Sequence, residues 1–245
     1  MSVSTVRLAE SYLNTQLTAT GPAGHPQACG PFVTLSRQAG TGGLAMAEAV
    51  AARLRHGPTP AAWAVYSANI IKEMLRTHQL PAHFARFLPE DRLPQIEASI
   101  GEIVGLHPDL WGLVDKTNDA LRNLAQAGGT ILLGRGANFA TAGLAHGLHV
   151  RLVAPEPMRT ARTARLLSLT PEAAANHNEH VDAARRRYVR ATFDADIAEP
   201  AAYDFVINLG RVRFDDAVEM IARAVPAVPV AAESGRAPAP ACEHA

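Results

Sequence analysis

The stretch VTLSRQAGTGGLAMAEAVAARL, Val33 to Leu54, decides the fold. An apolar run gives way to Gly40, Thr41, Gly42 and Gly43, then resumes at Leu44 with the spacing of an amphipathic helix. A strand, a glycine turn and a helix start bring consecutive backbone N–H groups and the positive end of the helix dipole to one spot. Glycines there let phosphate oxygens approach closely. The common phosphate loop, G-x-x-x-x-G-K-S/T, also supplies a lysine for the phosphates and a hydroxyl for Mg²⁺. Here Gly42 is followed by Gly43 and Leu44, so both are missing.

The same stretch admits a second nucleotide reading, because GTGGLA satisfies the dinucleotide pattern G-x-G-x-x-A. That reading needs an acid about 20 residues on, at the end of the second strand, to hold a ribose. The candidate second strand, Ala62 to Tyr66, runs into Ser67, Ala68 and Asn69, and the first acid is Glu73 inside a helical pattern. An oxidoreductase is therefore disfavoured.

Around the loop the chain alternates. A strand is expected at Phe32–Ser36, a helix at Leu44–Arg55 and a weaker strand at Ala62–Tyr66. Helical patterns follow in SANIIKEMLRTHQLP, EDRLPQIEASIGEIVGL and PDLWGLVDKTNDALRNLAQAGG, the last ending on a glycine cap. GTILLGRGANFA, GLHVRLVAP and YDFVINLG read as three buried parallel strands, with Arg-rich helical sequence between the last two. Five strands with alternating helices define an α/β domain over residues 30–225. Residues 1–29 are read as a short helix (4–17) and a linker, and residues 226–245 as a disordered Ala/Pro-rich tail.

With 23 basic and 23 acidic residues in 245, no global field draws the chain to nucleic acid or to an anionic membrane. Any phosphate site must be local. Lys72 and Lys116 are the only lysines and neither adjoins the glycine loop, so arginine must carry the anion chemistry. Cys29 and Cys242 form no disulfide framework, and no apolar run approaches a membrane span, which leads to the expectation of a soluble cytoplasmic protein.

Arg135, in LLGRGANF, follows a buried strand between two glycines, so its guanidinium should emerge at the carboxyl edge of the sheet, where open α/β sheets bind ligands. Its fork of donors suits a phosphate or carboxylate, with a structural ion pair as the alternative. The segment from Arg159 to Phe193 carries Arg159, Arg162, Arg165, Arg185, Arg186, Arg187 and Arg190. Helical spacing groups Arg159 with Arg162 and places Asp182 one turn from Arg186. Two such helices, joined near Leu169–Pro171, could close over a polyphosphate; a charge-laced solvent face is the plainer reading of each arginine taken singly. His177, Glu179, His180 and Asp182 lack a second cluster with ligand spacing and are read as a solvated helix, not a metal site.

Taken in order, VTLSRQAGTGG, ILLGRGANF, LHVRLVAP, VDAARRRYVRATF and YDFVINLG resemble the cytidylate kinase-like family, P-loop relatives of the nucleoside monophosphate kinases, over roughly residues 30–222. The resemblance implies a three-layer fold with a five-stranded parallel sheet and a helical lid, an ATP site on the glycine loop, and an acceptor site near Arg135. Members commonly read S-R-E-x-G-S-G-G, already without the lysine; here Gln38 replaces the acid and Leu44 replaces a frequent arginine. Ser67 stands where relatives typically carry Asp. The implied roles are Gly40, Thr41, Gly42 and Gly43 around the donor phosphates and Arg37 as substitute for the lysine. Arg135 would meet the acceptor phosphate, with Arg162, Arg185 and Arg186 as lid arginines and Asp182 orienting one of them by an ion pair, as the family's D-x-x-R pattern suggests. The expected activity is ATP- and Mg²⁺-dependent phosphorylation of CMP or dCMP, with a nucleotide-binding sensor or scaffold as the alternative.

Overall fold

The computed structural model describes residues 30–56, 63–67 and 108–226. Its centre is a five-stranded, all-parallel sheet in the order β2-β3-β1-β4-β5. The strands are β1 (Phe32–Arg37), β2 (Ala64–Tyr66), β3 (Thr130–Leu133), β4 (Gly147–Val153) and β5 (Phe205–Asn208). The helices are α1 (Gly43–Arg55), α2 (Pro108–Ala127), α3 (Ala137–Ala140), α4 (Glu156–Leu167), α5 (Pro171–Phe193) and α6 (Phe214–Ala224). The expected helix at 4–17, the two helices read between residues 68 and 107, and the tail beyond residue 226 lie outside the described residues.

Every residue of β3 and the first five of β1 are buried, because helices cover both faces of a parallel sheet. On one face Val33, Leu35, Ile131, Val150 and Leu152 pack against Met46 and Val50 of α1 and Val218 and Ile221 of α6. On the other, Phe32, Leu132 and Tyr66 meet Leu121 and Leu124 of α2. Each fully buried large apolar side chain stabilises the fold by about 1.5–3 kcal/mol. The second face turns polar toward β4, where Thr34 Oγ1 lies 2.8 Å from His149 Nδ1 and Arg151 Nη1 donates to Ser36 Oγ at 3.0 Å. Burial holds the His149 imidazole below its ordinary pKa, against a smaller opposing pull from Asp204.

The strand order separates the two nucleotide readings of the glycine loop. In the dinucleotide fold β1 lies beside β2. Here β1 lies between β3 and β4, so the chain switches from one side of the sheet to the other across it. Ligands of open α/β sheets bind at such a switch point, outside the carboxyl ends of the strands. The glycine loop, the Gly134–Gly136 turn and the α4–α5 hairpin all gather there.

That hairpin is closed by local chemistry. Ser168 ends α4 in a left-handed conformation (φ 54°), and Thr170 caps α5 by accepting from the Ala173 N–H at 3.2 Å, with Pro171 following. Between the two helices the buried Thr163 hydroxyl donates to Asn178 Oδ1 at 2.7 Å.

Candidate phosphate and acceptor site

The loop leaves β1 anchored. The Gln38 N–H donates to Leu152 O at 3.0 Å, and Gln38 Oε1 accepts from the Ala154 N–H at 3.1 Å. Gln38 thus joins the ends of β1 and β4 with a neutral amide. The Thr41 hydroxyl turns back to Gln38 O at 2.8 Å. Gly40 (φ 76°) and Gly42 (φ 82°) then take left-handed conformations that non-glycine residues rarely adopt. Gly42 is the cap of α1, which has no side-chain cap and no acid in its first turn. Among the described residues the N–H groups of Gly40, Gly42 and Gly43 meet no acceptor. Unpaired amides at the positive end of a 13-residue helix make an anion cradle.

The α4–α5 hairpin grips this loop through its carbonyls. Arg159 donates to Ala39 O at 3.1 Å and to Ala154 O at 3.1 Å, Arg162 to Thr41 O at 2.7 Å, and Arg185 to Arg37 O at 3.1 Å. Asp182 is their hub. Its Oδ1 accepts the Ala39 N–H at 2.7 Å and lies 3.6 Å from Arg185, while Oδ2 accepts from Arg159 at 2.9 Å. Glycine is favoured at position 42 by its φ of 82°, and a Cβ there would push the Arg162 guanidinium aside.

Across from the loop, Gly134, Arg135 and Gly136 are all left-handed, with φ of 81°, 59° and 64°. A non-glycine residue in that region costs on the order of 1 kcal/mol, a strain that tertiary structure must maintain. Arg135, Arg37 and Arg185 line one pocket beneath α5, together with Ser36, Asn138 and Tyr188. Among the described residues no Asp or Glu lines it. Burial raises the Tyr188 phenol above its ordinary pKa, opposed by the nearby Arg135 charge and by a hydrogen bond with Thr192. Arg37 connects the two halves. Its alkyl chain lies over Gly43, and its guanidinium reaches Gly134, where a Cβ would collide with it.

The structure therefore brings Gly40–Gly43, Arg37, Arg135, Arg162, Asp182 and Arg185 to one edge of the sheet. It does not bring Arg186, which pairs with Glu179 at 2.8 Å on the outer, solvated face of α5. The partners of Asp182 are Arg159 and Arg185, the second being the lid arginine that the family's D-x-x-R pattern pairs with it, while Arg186, one turn away, turns outward. Successive helix residues turn by about 100°, and the loop packs on the stripe that holds positions 182 and 185. The role of Arg159 as a loop anchor was missed, and only its spacing from Arg162 pointed to it.

Arrangement and donor chemistry fit the phosphates of a nucleotide: open amides, a helix start and several guanidinium groups. They give Mg²⁺ poor direct ligation, since the Thr41 hydroxyl is turned onto Gln38 O and Leu44 follows Gly43. Among the described residues no group of three His, Cys, Asp or Glu side chains converges. No helix among them is long and apolar enough to cross a membrane.

Strand order, loop and lid define a P-loop kinase-like α/β protein. The chain belongs to the cytidylate kinase-like family, whose model matches residues 32–211. Among solved structures it is similar to an uncharacterized protein from Eubacterium ventriosum ATCC 27560, at 17% identity and a TM-score of 0.61 over 80% of this chain and 97% of that one. A shikimate kinase from Bacteroides thetaiotaomicron aligns at 14% identity and a TM-score of 0.44 over 79% and 96% of the two chains. No curated protein sequence matches.

Proposed function

We propose that the protein transfers the terminal phosphoryl group of ATP to a nucleoside monophosphate, CMP or dCMP, in the cytoplasm. The observation that carries this reading is the placement of Arg37, which spans from the glycine loop at Gly43 to the acceptor turn at Gly134. Phosphoryl transfer asks the protein mainly for alignment and for positive charge around the transferred group. Open amides at Gly40, Gly42 and Gly43 would hold the donor phosphates, and Arg135 the acceptor phosphate. Arg37, Arg162 and Arg185 would surround the group in transit as an acceptor oxygen bonds to the γ-phosphorus and the bond to ADP breaks. Arg162 leaves Thr41 O when a phosphate enters the loop. Asp182 keeps Arg159 and Arg185 in register, and Arg186 has no part. Mg²⁺ would arrive on the nucleotide and complement its phosphate charge.

A nucleotide-binding sensor or scaffold is the second reading, favoured by one observation. The loop offers Gly43 and Leu44 where phosphate loops carry Lys and Ser or Thr.

A coupled assay over CMP, dCMP, UMP, AMP and GMP, with ATP or GTP as donor, separates the two. Transfer to CMP or dCMP that stops without Mg²⁺ supports the kinase. Nucleotide binding with no transfer to any acceptor establishes the sensor. In the same assay Arg135→Ala should weaken monophosphate binding by roughly 1.5–3 kcal/mol with little change for ATP, because a charge-assisted contact is lost at one ligand only. Equal losses for both ligands would make Arg135 structural.

A further inference from the structure

The side-chain oxygens that touch the glycine loop are committed to protein partners. The Thr41 hydroxyl is turned back onto Gln38 O at 2.8 Å, and Gln38 Oε1 accepts from the Ala154 N–H at 3.1 Å. Asp182 spends one oxygen on the Ala39 N–H at 2.7 Å and the other on Arg159 at 2.9 Å. Where common phosphate loops place a lysine and a Mg²⁺-binding hydroxyl, this loop has Gly43 and Leu44.

What stands at the loop is a guanidinium from the hairpin. Arg162 Nη1 donates to Thr41 O at 2.7 Å and lies so close to Gly42 that a Cβ there would overlap it. Among the described residues no carboxylate pairs with Arg162. The N–H groups of Gly40, Gly42 and Gly43, which meet no acceptor among the described residues, belong to the same turn. Fixed positive charge and open donors are both supplied by the chain itself.

Mg²⁺ demands near-octahedral oxygen ligation and gives up its waters reluctantly, so a loop that adds no ligand gains little from the metal. The metal also cancels negative charge that open amides and a guanidinium would otherwise meet. Resting on the donor-site reading, we infer that the glycine loop holds a nucleoside triphosphate more tightly metal-free than as its Mg²⁺ complex, and that Arg162 sets this preference. Transfer still requires the metal in that reading, because stabilising the group in transit is a separate demand from holding the donor.

The test is calorimetry with the β,γ-methylene analogue of ATP, which cannot pass on its terminal phosphoryl group, in EDTA and in excess Mg²⁺. Wild type should bind the free analogue about tenfold more tightly than the complex. Equal affinities, or tighter binding in Mg²⁺, overturn the inference and leave the donor site standing. Arg162→Met keeps the length of the side chain and drops its charge, so it should lose about tenfold for the free analogue and much less for the complex. A folded variant that keeps the wild-type ratio overturns the assignment to Arg162. Should Arg162→Met not fold, Arg162→Gln, which keeps a donor for Thr41 O without the charge, gives the same decision. A wild-type protein that binds neither form overturns the donor site itself, and the inference with it.

Discussion

Asp182→Ala should cost about 3 kcal/mol of folding stability, a large loss for one side chain. The carboxylate is 11% exposed, holds Arg159 at 2.9 Å and Arg185 at 3.6 Å, and accepts the Ala39 N–H at 2.7 Å. Truncation removes the carboxylate that holds both guanidinium groups, 12% and 20% exposed, and takes away the acceptor of the Ala39 N–H. That differs from the exposed pair Arg186–Glu179, whose removal should be nearly neutral. The vacated position is also an anion hole, so inorganic phosphate should stabilise the variant more than it stabilises wild type. Urea titrations with and without phosphate measure both effects. A loss below 1 kcal/mol would mean that the hub is solvated, and equal phosphate effects would remove the anion-hole argument.

Why Asp182 takes these partners explains what the sequence revealed and what it hid. The sheet was legible because parallel strands covered on both faces read as unbroken apolar runs: β3, β4 and β5 fall inside those expected, and β1 runs one residue beyond its expected end. The glycine loop was legible because Gly40 and Gly42 take conformations that glycine favours. Within GTILLGRGANFA β3 stops at Leu133: Gly134, Arg135 and Gly136 turn left-handed and the short α3 follows. Glycine on both sides of Arg135 marked the turn, while the helix after it had no cap residue to announce it.

Side-chain partnerships were harder to read. One-turn spacing groups Asp182 with Arg186 and the family's D-x-x-R pattern pairs it with Arg185; spacing alone does not decide, because the choice depends on which face of α5 meets the loop. That is tertiary information. Arg151 is hidden for a related reason. In LHVRLVAP it looks like a break in a buried strand, and only the pairing of β1 with β4 shows that Thr34 and Ser36 give that face a polar patch opposite His149 and Arg151.

Arg37→Ala should lower kcat by roughly 100- to 1,000-fold while ATP affinity changes much less, if the chain phosphorylates CMP as proposed. The argument rests on position. In that reading the loop amides would meet donor phosphates in both ground and transition states and so contribute mainly to binding. Arg37 instead reaches from Gly43 to Gly134, between the proposed donor and acceptor sites, where negative charge would concentrate only as the phosphoryl group moves. An interaction that strengthens in the transition state appears in rate more than in KM. With no lysine in the loop, and Leu44 in place of the hydroxyl that follows it, no other side chain on β1 or the loop carries a positive charge. Arg37→Lys should recover part of the rate, since it keeps the charge and loses the planar fork. Steady-state kinetics with CMP varied at saturating ATP, together with calorimetry of ATP alone, separate the two effects. A loss confined to ATP affinity would place Arg37 among the binding groups, and an unchanged kcat would move the transferred phosphoryl group away from it, toward Arg162 and Arg185.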